Sequence, residues 1–207
     1  MRQLIYVPVI HSEADMGTVA GPHKKEFTDQ LGVCVWNEHI KAVDEMWEGI
    51  RKRLCRLDID HSKVRIYQDG LPLCGRELDI VHDVAAQGSQ NHRLVLSLVK
   101  RGASLEGTED VQLLLEEYGY IQAITNELEP AERREEAKAL SMKRKLLLRR
   151  RDRFIARRID ETLKEDETGI LFAGMAHQID KYLANDIQVS YLIFRLPFSK
   201  LRPKKSL

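Results

Sequence analysis

Four short apolar runs in this chain are each followed within a few residues by groups that can move protons or hold a cation. After residues 4–10 come His11, Glu13 and Asp15. After Val64, Ile66 and Tyr67 comes Asp69-Gly70. After residues 103–106 come Gly107, Thr108, Glu109 and Asp110. After residues 170–173 comes Gly174-Met-Ala-His177. Imidazole and carboxylate together suit a divalent transition metal, which would activate a water. The same groups can also act as general acid and base with no metal. Each has a plainer use. His11 and His177 can simply close a strand, Asp15 reads as facing water, Asp69-Gly70 is a good turn dipeptide, and Asp110 suits a helix N-terminus. Their recurrence at successive run ends favours the functional reading. His23, His39, His61, His82 and His92 read as structural or solvated.

The elements that must position these groups follow from the apolar pattern. Residues 4–10 read as a buried strand carrying His11 at its end. Residues 12–35 read as loop with a short helix. Asn37 looks like an N-cap, and Ile40, Val43, Trp47, Ile50, Leu54 and Leu57 then make one amphipathic stripe. A second strand covers Val64 to Tyr67. Residues 76–100 are helical with a break at Gly88-Ser89, and Gly102 ends them. A third strand spans 103–106, and Asp110 caps a helix carrying Leu113 to Leu115. Residues 131–167 contain no Pro or Gly and predict one long helix. A strand at 170–173, a short helix at 178–183 and a strand at 189–194 close the pattern. Strands alternating with helices predict an α/β fold, a mainly parallel sheet flanked by helices, with one long helix in the C-terminal half. Residues 1–199 are expected to form a single domain and 200–207 a basic, flexible tail.

Composition narrows the function classes. The chain has 207 residues, 43% of them hydrophobic and 31% charged, so a core can form. Thirty-three basic and 32 acidic residues leave a net charge of +1, which argues against a general polyanion binder. No apolar run approaches the roughly 20 residues of a membrane span, so no membrane partner is expected. Arg2 before the first run imitates the start of a signal peptide. His11, Glu13 and Asp15 occupy the place of a cleavage site, so the run reads as a strand and the protein as cytoplasmic. Cys34, Cys55 and Cys74 are odd in number and lack metal spacing; they are expected to be buried, reduced thiols.

Nine basic residues crowd the long helix: Lys143, Arg144, Lys145, Arg149, Arg150, Arg151, Arg153, Arg157 and Arg158. Nucleic acid is a possible partner for such a run, but Phe154 alone interleaves it and acids flank it, so a solvated face is the stronger reading. Arg153 and Arg157, at i and i+4, share a helix face and could clamp a carboxylate or phosphate.

Arg151-Asp152-Arg153-Phe-Ile-Ala-Arg157-Arg-Ile159, followed by Gly169-Ile-Leu-Phe-Ala-Gly174-Met-Ala-His177, resembles the closing module of one superfamily. It includes TraB-type, Tiki-type, ChaN-like and erythromycin-esterase-like proteins. There, a helix with an Arg-Asn or Arg-Asp pair leads into a strand ended by Gly-x-x-His. The family's first strand also ends in a histidine, within Gly-Thr-x-His or Gly-Glu-x-His. Ile10-His11-Ser12-Glu13 takes that place here, with Val9-Ile10 instead of the Gly-Thr pair. Gly107-Thr108-Glu109 matches the family's Gly-x-Glu, and Asp69 is a looser match. The resemblance runs in order from 11 to about 183. It implies a site at the strand ends, and activities that range from metal-dependent peptide cleavage to ester hydrolysis.

The expected function is therefore a hydrolase acting on an anionic small molecule, an ester or amide, or a peptide. His11 and His177 would ligate metal or carry protons, with Glu13 and Glu109 as ligand or general base. His11, Glu109 and His177 would form the metal set, for Mn²⁺, Co²⁺ or Zn²⁺. Asp69, Arg153 and Arg157 would bind substrate, with Arg149 to Arg151 facing solvent. Two alternatives stand beside it: a non-catalytic module sensing an anionic small molecule, and a nucleic-acid or protein binder using the basic helix.

Overall fold

The computed structural model describes residues 1–15, 20–125 and 130–194, with side chains except at 22, 23, 26, 123–125 and 130–140. Among them, β1 (Arg2–Val9), β2 (Val64–Gln68), β3 (Ser104–Glu106), β4 (Thr168–Gly174) and β5 (Ile187–Tyr191) form one sheet. Its order is β3-β2-β4-β1-β5 and every pair is parallel. The helices are α1 (Ala20–Leu31), α2 (Val33–Leu54), α3 (Glu77–Ala86), α4 (Gln90–Lys100), α5 (Val111–Thr125) and α6 (Pro130–Thr162). The expected α/β fold is the one observed. The tail at 200–207 lies outside the described residues.

The sheet is apolar on both faces because both are covered, as parallel connections require. On one face Val7, Val9, Ile66, Ile170 and Phe172 meet Trp47 and Ile50 of α2, Val81 of α3 and Val95 and Leu98 of α4. On the other, Leu4, Tyr6, Tyr67, Leu171 and Ala173 meet Ile155, Ala156 and Ile159 of α6. Adjacent residues of β4 thus point into opposite cores, which explains why its run is continuous rather than alternating.

Several local expectations hold for visible reasons. Ser89 starts α4 by accepting a hydrogen bond from the His92 N–H, and Asp110 caps α5 by accepting from the N–H groups of Gln112 and Leu113. Others differ. α2 begins at Val33 after Gly32, whose φ of +87° turns the chain sharply out of α1, so Asn37 is an exposed helical residue and not a cap. The short helix at 178–183 is a single 3₁₀ turn, Ile179–Tyr182. All three cysteines are exposed, against the expectation of buried thiols: each lies in a turn or on an outward helix surface, away from either core.

Register brings the strand ends that carry the candidate residues together. Val9 pairs with Gly174 and Gln68 with Phe172, so β1, β2 and β4 finish at nearly one level. Phe172 anchors the centre of that arrangement, fully buried with its ring centroid 6.2 Å from that of Trp47. Phe172→Ala should cost about 3–5 kcal/mol in a urea unfolding experiment, whereas the exposed Met142→Ala should cost under about 0.5 kcal/mol.

Candidate functional site

Beyond the ends of β1, β2 and β4 opens a cleft of about 780 Å³, whose lining includes His11, Asp15, Asp69, His92, Arg151 and His177. Asp69 lies at its floor, 6% exposed. Its Oδ2 accepts from the Gly174 N–H at 2.7 Å and from His11 Nε2 at 3.1 Å, and its Oδ1 accepts from Gln68 Nε2 at 3.0 Å. His177 Nε2 stands 3.5 Å from the same Oδ2, and its Nδ1 is 2.6 Å from Asp152 Oδ1. Asp152 Oδ2 also accepts from the Gln178 N–H. The result is a continuous chain, Asp152–His177–Asp69–His11, drawn from α6, the loop after β4, and the ends of β2 and β1. Gly174 gives it room: a Cβ there would come within 3.1 Å of His11 Nε2 and 3.3 Å of Asp69 Oδ2, and both would have to give by a few tenths of an ångström.

Beside this chain lies a buried ion pair. Arg151 donates from Nε to Glu109 Oε2 at 2.6 Å and from Nη2 to Oε1 at 2.5 Å, the bidentate geometry that suits guanidinium and carboxylate. Its Nη1 also donates to Glu117. Glu109 is 0% exposed and accepts from the Gly70 N–H as well. Arg151 and Asp152 reach inward because they occupy the apolar stripe of α6 that continues through Ile155 and Ile159. Spacings of four from Leu147 to Arg151, Ile155 and Ile159 were the sequence signal for it.

The charges reinforce one another. The negative charge of Asp69 holds His11 in its protonated form against the opposing effect of burial, pushing its pKa from 6.5 up to about 9. Burial alone would lower His177, but the Asp152 hydrogen bond and the Asp69 charge outweigh it and the shift is upward. With a carboxylate at each ring nitrogen, His177 is best matched as an imidazolium. Burial would raise Asp69, yet the charge and hydrogen bond of His11 prevail and its pKa falls well below the usual carboxylate range.

The structure brings His11, Asp69 and His177 together and sends the other expected residues elsewhere. Glu109 does not face the cleft, because both its oxygens are taken by Arg151 and the Gly70 N–H. Glu13 sits on a 3₁₀ turn (Glu13–Asp15) and pairs with Lys24 at 3.3 Å. Arg153 and Arg157 lie on the outer face of α6: Arg153 stacks 5.3 Å from the Tyr182 ring centroid, and Arg157 lies 4.9 Å from that of Phe154 and pairs with Glu161. Neither lines the cleft of His11 and His177, since a helix that turns 151 and 152 inward turns 153 and 157 away; with Arg150 they border a separate pocket beside Asp110 and Gln112. Arg151, expected in solvent, is the buried member of the run. Asp15, expected in water, and His92, expected to be structural or solvated, both line the cleft.

Among the described residues no group of three or more His, Cys, Asp or Glu side chains is arranged to hold a metal ion. The expected set of His11, Glu109 and His177 does not assemble, because Glu109 is committed to Arg151. No helix among them is long and apolar enough to cross a membrane. Four of the nine basic residues are answered by acids: Arg150 pairs with Glu116, Arg151 with Glu109 and Glu117, Arg157 with Glu161, and Arg158 with Glu161 and Glu106. No protein-family model matches this chain, and neither does any curated protein or solved structure.

Two outcomes follow from the site's electrostatics. Glu109→Gln leaves Arg151 buried with half its compensation and should lower stability by about 3–5 kcal/mol, read by denaturant unfolding. His11 has a raised folded-state pKa, so its contribution is complete below pH 6.5 and disappears as pH rises through about 9. The melting temperature should therefore fall between those values, and His11→Asn should flatten the fall. Parallel curves for the two proteins would contradict the ion pair.

Proposed function

We propose that this protein hydrolyses a small anionic ester, with His11 as the group that protonates the leaving oxygen. The observation that carries the reading is the state of the His11 ring. Nε2 is spent on Asp69, while Nδ1 has no partner among the described residues and the side chain is 33% exposed at the cleft. An imidazolium held by one nitrogen and open at the other is a proton donor aimed at whatever occupies the cleft. General acid catalysis of this kind contributes typically about 10²–10⁴-fold. His177 and Asp152 act behind it by holding Asp69 and the loop after β4 in place.

An anionic substrate is supported by the way charge is distributed around the cleft. Its acidic lining groups are all engaged: Asp15 with Ser89 and His92, Asp69 with the two histidines, and Glu117 with Arg151. Arg144 and Lys145 also line it, and neither has an acidic partner among the described residues. The free charge offered to a ligand is thus positive. Leu71, Leu114 and Leu148 add apolar wall for the rest of the molecule. The resemblance of the Arg151-Asp152 and Gly174-to-His177 segments to a superfamily that includes esterases supports the same class of reaction.

The test is a screen of p-nitrophenyl acetate, p-nitrophenyl phosphate and bis(p-nitrophenyl) phosphate, each beside its phenyl analogue, whose more basic leaving oxygen needs the proton, with wild-type protein and His11→Ala. His11 is the better probe because truncating His177 would leave Asp152 buried without its partner. Turnover of at least one ester is expected, falling at least about 100-fold in a His11→Ala protein that melts close to the parent. Anion binding without turnover of any ester would make the cleft a sensing site and sink the hydrolytic reading.

A further inference from the structure

We infer that His92 and Asp15 form a second proton-transfer pair in this cleft, with His92 Nε2 as the base that deprotonates the attacking water. The inference rests on the hydrolytic reading above and supplies the half of that chemistry which His11 does not.

Asp15 and Ser89 clamp the His92 imidazole. Asp15 ends the 3₁₀ turn that follows His11, and its Oδ2 accepts from the Ser12 N–H at 2.7 Å and the Ser12 hydroxyl at 2.8 Å. Its Oδ1 accepts from the Ser89 hydroxyl and lies 3.3 Å from His92 Nδ1. Ser89 Oγ is itself 2.8 Å from His92 Nδ1. A hydroxyl has one proton to give, and Ser89 gives it to Asp15. The bond between Ser89 and His92 must then be donated by the ring, so Nδ1 carries a proton. In the neutral ring that leaves the lone pair on Nε2, which has no partner among the described residues.

His92 comes from the first turn of α4, an element distinct from those that hold His11, yet both rings line the same cleft. Their hydrogen bonding is complementary: His11 offers a proton at Nδ1, and His92 offers a lone pair at Nε2. Asp15 sits near enough to both that its charge also favours the protonated form of His11. Ser89 is not the nucleophile, since it is fully buried and its hydroxyl is used by Asp15, by His92 Nδ1 and by the His92 N–H.

The step balances as a hydrolysis. Water oxygen bonds to the acyl or phosphoryl centre while its proton passes to His92 Nε2. The bond to the leaving oxygen breaks with its electron pair on that oxygen, which takes the proton of His11 Nδ1. Acid and alcohol depart, and His92 and His11 exchange their protons with solvent.

The experiment measures kcat on whichever p-nitrophenyl ester the wild-type protein turns over, for His92→Ala, His92→Gln and Asp15→Asn, with and without added millimolar imidazole. His92→Ala should lose at least about 100-fold, and imidazole should restore part of the loss in that variant while leaving wild type unchanged. His92→Gln, which keeps a side-chain amide near Ser89 and Asp15, should melt near the parent and remain inactive. Asp15→Asn should also lower kcat. An active wild type whose His92→Ala or His92→Gln variant keeps its rate within twofold overturns the pair alone. So does a folded His92→Ala that imidazole fails to rescue. A wild type inert on every ester overturns the hydrolytic reading and the pair with it.

Discussion

A carboxylate removed from water must be compensated, and in this protein the compensation of Asp69 organises the end of the sheet. Its partners are a side-chain amide from β2, a main-chain N–H from β4, an imidazole from the end of β1 and a second imidazole from the loop after β4. Three adjacent strands thus terminate on one anion. The cost of burying the charge is offset only when all three stop at the same level, so the constraint acts on register as much as on the site. Glycine at the end of β4 leaves room for this meeting, since a Cβ there would crowd both His11 and Asp69.

The second buried charge acts on a helix. Arg151 could not enter the interior alone; Glu109 and Glu117 meet it from the loop after β3 and from α5. This ties α6 to the far side of the sheet from β1 and orients the next residue, Asp152, onto His177. Such pairs are weak evidence for net stability, because desolvation of both ions opposes their attraction. Their effect here is geometric: α6 can rotate only by breaking the Arg151 contacts, and its rotation sets where His177 stands.

Charge composition, taken as a sum, would mislead about both α6 and the cleft. The basic run reads as a uniform surface, yet its members point around the full circumference of a helix. One is buried beside the cleft, three others pair with acids from α5, α6 or the end of β3, two lie against aromatic rings, and two line the cleft with no acidic partner among the described residues. Which of these cations meets an acid depends on neighbours brought from distant parts of the chain, as Glu116 is to Arg150 and Glu109 to Arg151.

The parallel α/β architecture was legible in the chain because apolar periodicity and strand-ending glycines are local properties. The same holds for the helix breaks at Gly88-Ser89 and Gly102, the Asp110 cap, and the location of His11 and His177 at strand ends. The start of α2 was not, since Gly32 serves there through a positive φ that a side-chain capping pattern does not reveal. Nor was the division of labour among polar residues. Whether Glu109 faces a ligand or an arginine, whether Arg151 or Arg153 turns inward, and whether His92 belongs to a helix surface or a cleft are settled by the rotation of α6 and the approach of α4. Sequence spacing determined which residues share a helix face or follow a strand; only tertiary packing decided which face meets the sheet, because that choice minimises the buried charge left unpaired across the whole fold.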